Sequence, residues 1–598
     1  MDRKSIIGLV ASIALLLLWF PVVNRLYPPK PLPPGSTNNV AAVQAPGTNG
    51  TASNVVQRTP PVLQPADAAP RAPQVASNQP EQVVVLSSSN ANYTITSRGG
   101  GIKLIELVEF PEVIERKKSA QQNVKHTTLN ANAAYPAMAL LGGPAIEGDG
   151  VYELSRTSDG VRATKQLTNG LVITKDFRLS SNYLLAVKVR LENRTAAPLA
   201  VPPHEWVVGT ATPMNAHDKG QAVGAQYFTG KDRRTVDGAA YFSKTKFMCF
   251  PRVPPPEYRS TDTNIVWAAA NNQFFALIAM PDTPAQGLIV RRMDLPATLT
   301  PQGMPNPVLP QGYETTMVYP GLTIAPQQAI EHSLHIFSGP KEFQRLATLG
   351  DHFKNQVGLV MGYGGFFGFF AKGLLLAMNW LHETAWLSYG WAIVVITIII
   401  KLLFWPLTQA STRSMKRLQA MQPQMNAIKE KYKDDPAKMN RKTMEFMREN
   451  KVNPMGGCLP MVIQIPVFIG FFQMIQSAIE LRGAQFLWVT DLSSPDTLFM
   501  IPGTGFPFNL LPLIMGVTMF WQARLTPPSP GMDPTQAKMM RYMPMIFMVF
   551  LYNFSAGLTL YWTVQNLLTI LQTKLTKTTT PATATAAPVL TSAPKKKK

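Results

Sequence analysis

Cysteine is almost missing: Cys249 and Cys458 are the two in 598 residues. Cys458 lies in an apolar segment and Cys249 in what reads as an outer domain, so no disulfide is expected and the fold does not depend on the redox compartment. Acidic residues are also scarce, 35 Asp and Glu against 56 Lys and Arg, and charges of both signs make up only 15% of the chain. The net charge of +21 implies an acidic partner such as anionic lipid or an RNA-containing particle. Apolar residues crowd toward the C-terminal end, however, which favours a membrane protein over a soluble nucleic-acid binder. Catalytic motifs are missing too. His204-Glu205 starts like a zinc-protease helix, but position 208 is Val. Gly362, Gly364, Gly365 and Gly368 sit in an aromatic segment rather than after a strand, so they form no nucleotide loop. No nucleophile elbow or Cys/His zinc spacing appears. The chain is therefore expected to be no enzyme and to carry no metal or cofactor. A carbohydrate site on its polar domain stays open as an alternative.

What is present divides the chain into blocks. After Met1-Asp2-Arg3-Lys4, the uncharged run 6–23 is long enough to cross the roughly 30 Å hydrocarbon core. No small-x-small cleavage site follows, so 1–27 is read as a transmembrane anchor and not a signal peptide. Residues 28–80 are rich in Pro, Ala, Asn, Thr and Gln and are expected to be a disordered linker. Residues 81–340 change character. Tyr183, Leu185, Val187, Val189 and Leu191 alternate with Lys188 and Arg190, the period of a half-buried strand. Leu171, Ile173, Phe177 and Leu179 suggest its hairpin partner. Residues 265–270 and 273–280 suggest another hairpin around Asn271-Asn272. This block is predicted to be a large antiparallel β-sandwich.

Residues 341–388 read as connecting helices, with 366–381 an amphipathic helix on the membrane surface. Residues 389–575 hold five further apolar segments, at about 389–407, 456–479, 506–521, 542–554 and 558–571. The last three are shorter than the usual span of about twenty residues. The fold class is thus a membrane α-helical core of five spans plus an N-terminal anchor span, with a large extracytoplasmic β-domain. Between the first two core segments, 410–450 reads as a basic helical hairpin turning at Asp434-Asp435-Pro436. Met415, Leu418, Met421, Met425 and Ile428 form an apolar stripe on its first arm. Arg413, Lys416, Arg417, Lys429, Lys431 and Lys433 are candidates for partner docking. The tail, 576–598, ends in Lys595, Lys596, Lys597 and Lys598. Lysine and arginine gather in 410–455, in 524–541 and in the tail, whereas 480–505 holds only Arg482. The positive-inside rule then puts both termini in the cytoplasm and the β-domain outside.

Lys401 is the informative charge. It interrupts an otherwise uncharged run, where a cation costs about 2.5–3.5 kcal/mol on insertion scales unless it faces a cavity or partner. Snorkelling is the alternative: Leu407 is six residues on, about 9 Å along a helix. Thr397 lies one turn earlier on the same face. Gln464, Gln473 and Gln476 in the 456–479 segment, with Gln565 and Asn566 in 558–571, are costly against lipid and expected to face inward. They are read either as interhelical bonds or as the lining of a hydrated groove. No acidic residue falls inside the apolar segments, which argues against an ion-coupled transporter. Proline breaks (Pro406, Pro460, Pro466, Pro512, Pro544) and clustered methionines suit an adaptable apolar surface.

These residues resemble a known family. Asn453-Pro454-Met455-Gly456-Gly457-Cys458-Leu459-Pro460, continuing through Gln464-Ile465-Pro466-Val467-Phe468, is similar to a signature of the YidC/Oxa1/Alb3 membrane protein insertases. So are Thr397 to Lys401 with Trp405-Pro406-Leu407-Thr408, Met515-Gly516-Val517-Thr518-Met519-Phe520, and Ser555-Ala556-Gly557-Leu558 through Tyr561 and Asn566. Residues 93–100 and 267–275 resemble the periplasmic domain of the Gram-negative YidC type. The resemblance implies a β-supersandwich outside the membrane and five core helices around a groove open to cytoplasm and lipid. It also implies insertion of membrane proteins, alone or beside the Sec translocon, at the cell inner membrane. Nascent membrane proteins, the Sec translocon, the ribosome and anionic lipids are the implied partners. Groove-lining roles carry over to Thr397, Lys401, Gln464 and Tyr561, with Gln473, Trp562 and Asn566 beside them. The family carries arginine where this chain has Lys401, so the charge is kept and the planar donor fork is lost. Trp562 stands where many relatives have a second tyrosine. A small-solute transporter and a membrane-anchored carbohydrate-active protein are the alternatives.

Overall fold

The computed structural model describes residues 80–114, 125–181, 183–215, 218, 220, 222–242, 253–296, 310–450, 459–525 and 534–576. The expected anchor, the linker up to 79, both cysteines, the signature residues 453–458 and the tail from 577 lie outside the described residues.

The N-terminal half is β-structure, and every strand pair in it is antiparallel. A nine-stranded sheet runs from Arg233–Asp237 at one edge to Glu153–Arg156 at the other. It contains the pair expected from alternation, Leu171–Ser181 beside Leu184–Asn193, with Phe177 opposite Val187 and Ile173 opposite Leu191. Strand Ala329–Pro340 closes against that pair on its other side. The Asn271-Asn272 hairpin also forms, between Trp267–Asn271 and Phe275–Pro281. Its turn has a mechanism: Asn272 Oδ1 accepts the N–H groups of Phe274 (3.2 Å) and Phe275 (2.9 Å). A five-stranded sheet lays His204–Ala211 and Gln311–Tyr319 over the nine-stranded one. Four- and two-stranded sheets complete the domain. Trp206, Trp267, Tyr227, Phe275 and Phe337 are among the large aromatic residues buried in its core.

The C-terminal half is helical. α1 is Phe343–Phe353, α2 Gly365–Ala385, α3 Tyr389–Leu403, α4 Trp405–Ala420 and α5 Gln422–Lys431. α6 is Pro436–Glu449, α7 Leu459–Ser477, α8 Leu510–Leu525, α9 Pro534–Phe550 and α10 Ala556–Leu575. Among the described residues no single helix is long and apolar enough by itself to cross a membrane; α2 and α3 together are, across a bend of 118°.

Several expected boundaries move. The 389–407 segment is two helices, because Pro406 has no N–H for the ladder and α3 stops at Leu403. The 506–521 segment starts later: Phe506–Asn509 pairs with Thr497–Ile501 as a hairpin, and helix begins at Leu510. The 542–554 segment ends at Phe550 but starts eight residues early, at Pro534, and the last helix extends over Ala556–Leu575. The basic hairpin turns at the expected place, where Asp435 caps α6 through Lys438 N–H at 2.9 Å. Its first arm also breaks at Met421, which had not been expected. Met425 and Met447 are buried against each other there, with Met421 and Phe446 packed around them.

The two halves meet along a seam. Arg482 Nη2 donates to Pro111 O (2.5 Å) and Glu112 O (3.2 Å), and its guanidinium lies 5.6 Å from the centre of the Phe275 ring. Trp267 Nε1 donates to Asn355 O at 3.0 Å, tying the sandwich to the turn before α2. α2 then lies tightly on α7, where a Cβ added at Gly470 would come within 2.6 Å of Phe370 Cβ.

Candidate functional site

Helix α10 organises the polar residues of the helical half. Tyr561, Gln565, Thr569 and Gln572 follow at spacings of four, four and three, which puts them on one face. That face meets α3, α4 and α7. Gln565 Nε2 donates to Gln464 Oε1 at 3.0 Å, and Gln464 Nε2 donates to Tyr561 OH at 2.6 Å. The Tyr561 ring stacks on Phe471, with centroids 4.2 Å apart. One turn beyond Gln565 on the stripe, Thr569 Oγ1 accepts from Lys401 Nζ at 2.8 Å. The threonine passes its own proton to Gln565 O at 2.7 Å. Gln572 bonds to Trp405 O at 3.3 Å and to the Thr408 hydroxyl, tying α10 to the first turn of α4.

Lys401 is 6% exposed and makes no ion pair among the described residues. Its ammonium has three donors and spends one on Thr569. Thr397, one turn earlier, is fully buried and spends its hydroxyl on Ile393 O at 2.6 Å within its own helix. It therefore packs beneath Lys401 without joining the side-chain network. Asn566 lies off the stripe and donates to Thr518 Oγ1 of α8 at 3.2 Å. Trp562 faces an aromatic wall, 4.7 Å from the Phe468 ring and 5.8 Å from Phe547.

Gln473 is elsewhere. Nine residues on from Gln464, it faces a cavity of about 220 Å³ at the seam with the β-domain, lined also by Lys341, Tyr363 and Gln476. Among the docking candidates, Arg413, Arg417, Lys431 and Lys433 are exposed and Lys429 is half-buried; the side chain of Lys416 lies outside the described residues. Lys431 and Lys438 flank the ring of Tyr432, 5.9 and 5.7 Å from its centre. Thr569, Gln572 and Thr518 had not been singled out in the sequence. For the first two, the four-four-three spacing from Tyr561 was the available signal. Thr518 figured only as part of the 515–520 motif, with no role of its own.

The arrangement offers one buried cation and a ladder of neutral amides and hydroxyls, with no acid beside it and no nucleophile paired with a base. No group of three or more His, Cys, Asp or Glu able to hold a metal exists among the described residues. Such a site can attract an anion and solvate polar groups.

Comparison with known proteins adds the rest. The family model described as 60Kd inner membrane protein matches residues 380–583, and that of the YidC periplasmic domain matches 83–377. The membrane protein insertase YidC of Pelobacter propionicus is 32% identical over 584 residues, covering 95% of this chain and 98% of that one. Those of Syntrophus aciditrophicus and Cupriavidus necator are each 30% identical over 95% of this chain, and over 98% and 96% of theirs. A crystal structure of an active YidC insertase with its first transmembrane domain resolved aligns with 83% of this chain and 95% of that one, at 19% identity and a TM-score of 0.32. A galactose mutarotase related enzyme from Lactobacillus acidophilus aligns with 43% of this chain and 97% of that one, at 6% identity and a TM-score of 0.30. At such TM-scores neither likeness says how this chain's residues are arranged.

Proposed function

Because the chain belongs to the YidC family of membrane protein insertases, we propose that α3, α7, α8, α9 and α10 are its five core spans and that Lys401 draws the polar part of a client partway into the membrane. The protein is an inner-membrane insertase with a periplasmic domain, and its substrates are nascent membrane proteins. The anchor over 6–23 makes a sixth span, both termini are cytoplasmic, and α2 lies on the outer membrane surface. The bias of lysine and arginine toward 410–455, 524–541 and the tail supports this orientation.

One observation carries the mechanism: a buried ammonium in an apolar helix is held by a threonine hydroxyl rather than by a carboxylate. Its charge is not neutralised, so it is free to attract acidic residues of a segment that hydrocarbon would exclude. Gln464, Tyr561, Gln565 and Thr569 offer donors and acceptors along the same path, replacing water as the client moves. Phe468, Trp562 and Phe547 supply an apolar wall against which the client's hydrophobic stretch slides into lipid. Partitioning and the membrane potential supply the driving force, so no nucleotide or cofactor is needed. A lysine gives a point charge without arginine's two-pronged grip, which suits capture of any acidic segment over recognition of one carboxylate geometry. Arg413, Arg417, Lys431 and Lys433 on the cytoplasmic arm, with the lysine tail, recruit the ribosome through its RNA, or anionic lipid. Gln473 serves the seam and not the path. Work beside the Sec translocon falls under the same reading.

The test is insertion of a short single-span client into proteoliposomes, scored by protease protection, for the native chain and Lys401→Leu. Protection that requires the protein, and that drops at least tenfold in the variant for clients with acidic tails, is expected. Equal protection by both would strip Lys401 of the role while leaving the insertase in place.

A further inference from the structure

The seam cavity is built unlike the rest of the interior. Lys341, the residue after strand Ala329–Pro340, is 5% exposed, and its ammonium has no hydrogen-bond or ion-pair partner among the described residues. Burial, with a smaller push from the nearby Arg233 guanidinium, holds its pKa down to about 7. Its counterpart in the sandwich, Lys175, is just as buried but gives protons to Gly99 O at 2.9 Å and Met138 O at 2.8 Å. The fold therefore satisfies one buried lysine and leaves the other open onto a cavity. Two residues of the same wall also carry an orphan oxygen: Asn271 Oδ1 and Gln473 Oε1 are buried and receive no hydrogen bond. Gln273 and Gln476 add amides at the rim. Asp237 is the one acid on the wall; it caps Ala240 N–H at 3.1 Å and makes no ion pair with Lys341.

A buried ammonium calls for an anion, and two orphan oxygens call for donors. We propose that this cavity binds a phosphate ester bearing a hydroxyl or ammonium group, the chemistry of a phospholipid headgroup, with the phosphate on Lys341 and the donors on Asn271 and Gln473. The size agrees: about 220 Å³ is below the roughly 300–1,000 Å³ of pockets for drug-sized ligands and too small for a folded peptide segment. The position agrees as well. Gly362 and Tyr363 on the wall lead directly into α2, whose first turn exposes Phe366, and Gln473 and Gln476 stand near the end of α7. On the orientation proposed above, on which this inference rests, that is the headgroup level of the outer leaflet.

The test uses the full chain in detergent and native mass spectrometry with added phosphatidylglycerol, with diacylglycerol as the phosphate-free probe. One phosphatidylglycerol per chain is expected to stay bound, with its affinity falling at least tenfold in Lys341→Gln and by a smaller factor in Gln473→Ala. Lys341→Arg should keep it, and diacylglycerol should not bind. Displacement by millimolar inorganic phosphate would assign the site to phosphate as such; resistance would assign it to the lipid. Equal binding by Lys341→Gln, or binding of an acidic peptide in place of either phosphate compound, overturns the proposal. Without lipid, Lys341→Met should raise the apparent melting temperature, since it removes an unpartnered charge; a lowered value would refute that premise. Protease protection of a client, run on the same samples, separates the two readings. Insertion without Lys341-dependent lipid binding sinks this inference alone, and lipid binding without insertion sinks the insertase mechanism alone.

Discussion

Removing the Arg482 side chain should loosen the β-domain from the helices without unfolding either. The magnitude follows from what the guanidinium touches. One nitrogen serves both Pro111 O and Glu112 O, so the pair counts as a single charge-assisted hydrogen bond of about 1.5–3 kcal/mol. The Phe275 ring at 5.6 Å adds about 0.5–1 kcal/mol. Neither carbonyl is orphaned by the change: Thr127 Oγ1 still donates to Pro111 O at 3.1 Å, and Asn215 Nδ2 to Glu112 O at 3.2 Å. No desolvation penalty is therefore added. The half-buried guanidinium also forgoes some hydration in the docked state, so the lower end of the range, about 2 kcal/mol, is the expected cost. At 1.4 kcal/mol per factor of ten, Arg482→Ala should raise the opening constant of the seam about 30-fold. Hydrogen–deuterium exchange of the full chain measures this directly. Peptides covering 109–114 and 479–484 should exchange about 30-fold faster, while the strands around Phe177 and Leu185 keep their native protection. Acceleration below about twofold at both flanks, in a protein with native protection in those strands, would refute the assignment of the clasp to Arg482.

Two other predictions rest on the interior. Burial pushes Glu314 up to about 7 from 4.5, with Arg291 pulling down and Glu205 pushing up. Between those values the folded protein holds a proton that the unfolded chain has released, so this contribution is full below about pH 4.5 and is lost as the pH rises through 7, at up to about 1.4 kcal/mol per unit. Glu314→Gln should flatten the fall in apparent melting temperature between pH 5 and 7.5; an unchanged slope would remove Glu314 as its source. At Gly470 even a methyl group meets the main chain of α2, with Ala371 N at 3.2 Å. Gly470→Leu should cost about 1–3 kcal/mol through overpacking and lower the melting temperature more than Gly470→Ala does; wild-type stability in both would show that the helices part freely there.

Much of the β-domain was legible because a strand buried on one face writes a two-residue period, as 183–191 does, and because Asn272 announces its turn chemically. Lys401 was legible because a charge in an apolar run has few innocent explanations. Its partner was not: Thr569 is 168 residues away, and one threonine among many carries no mark. Gln473 shows a different failure. It was grouped with Gln464 because both are amides in one apolar helix, yet nine residues turn a helix through about 900°, which puts the two on opposite sides and about 13 Å apart along the axis. The arithmetic was available in the sequence and pointed to two sites. The late start of α8 was harder to see. Phe506, Pro507 and Phe508 are as apolar as a helix interior, and only the pairing with 497–501 makes them a strand.

The Arg482 clasp also bears on how the two halves diverge over time. Apart from the Phe275 ring, its acceptors are main-chain oxygens, and every residue type supplies the same carbonyl. Inheritance can therefore rewrite the side chains at 111 and 112 without touching the joint, provided the backbone follows the same path. At this contact the two halves can change their side chains on separate schedules, and a β-domain transplanted from a distant relative would still find the arginine's grip waiting for it.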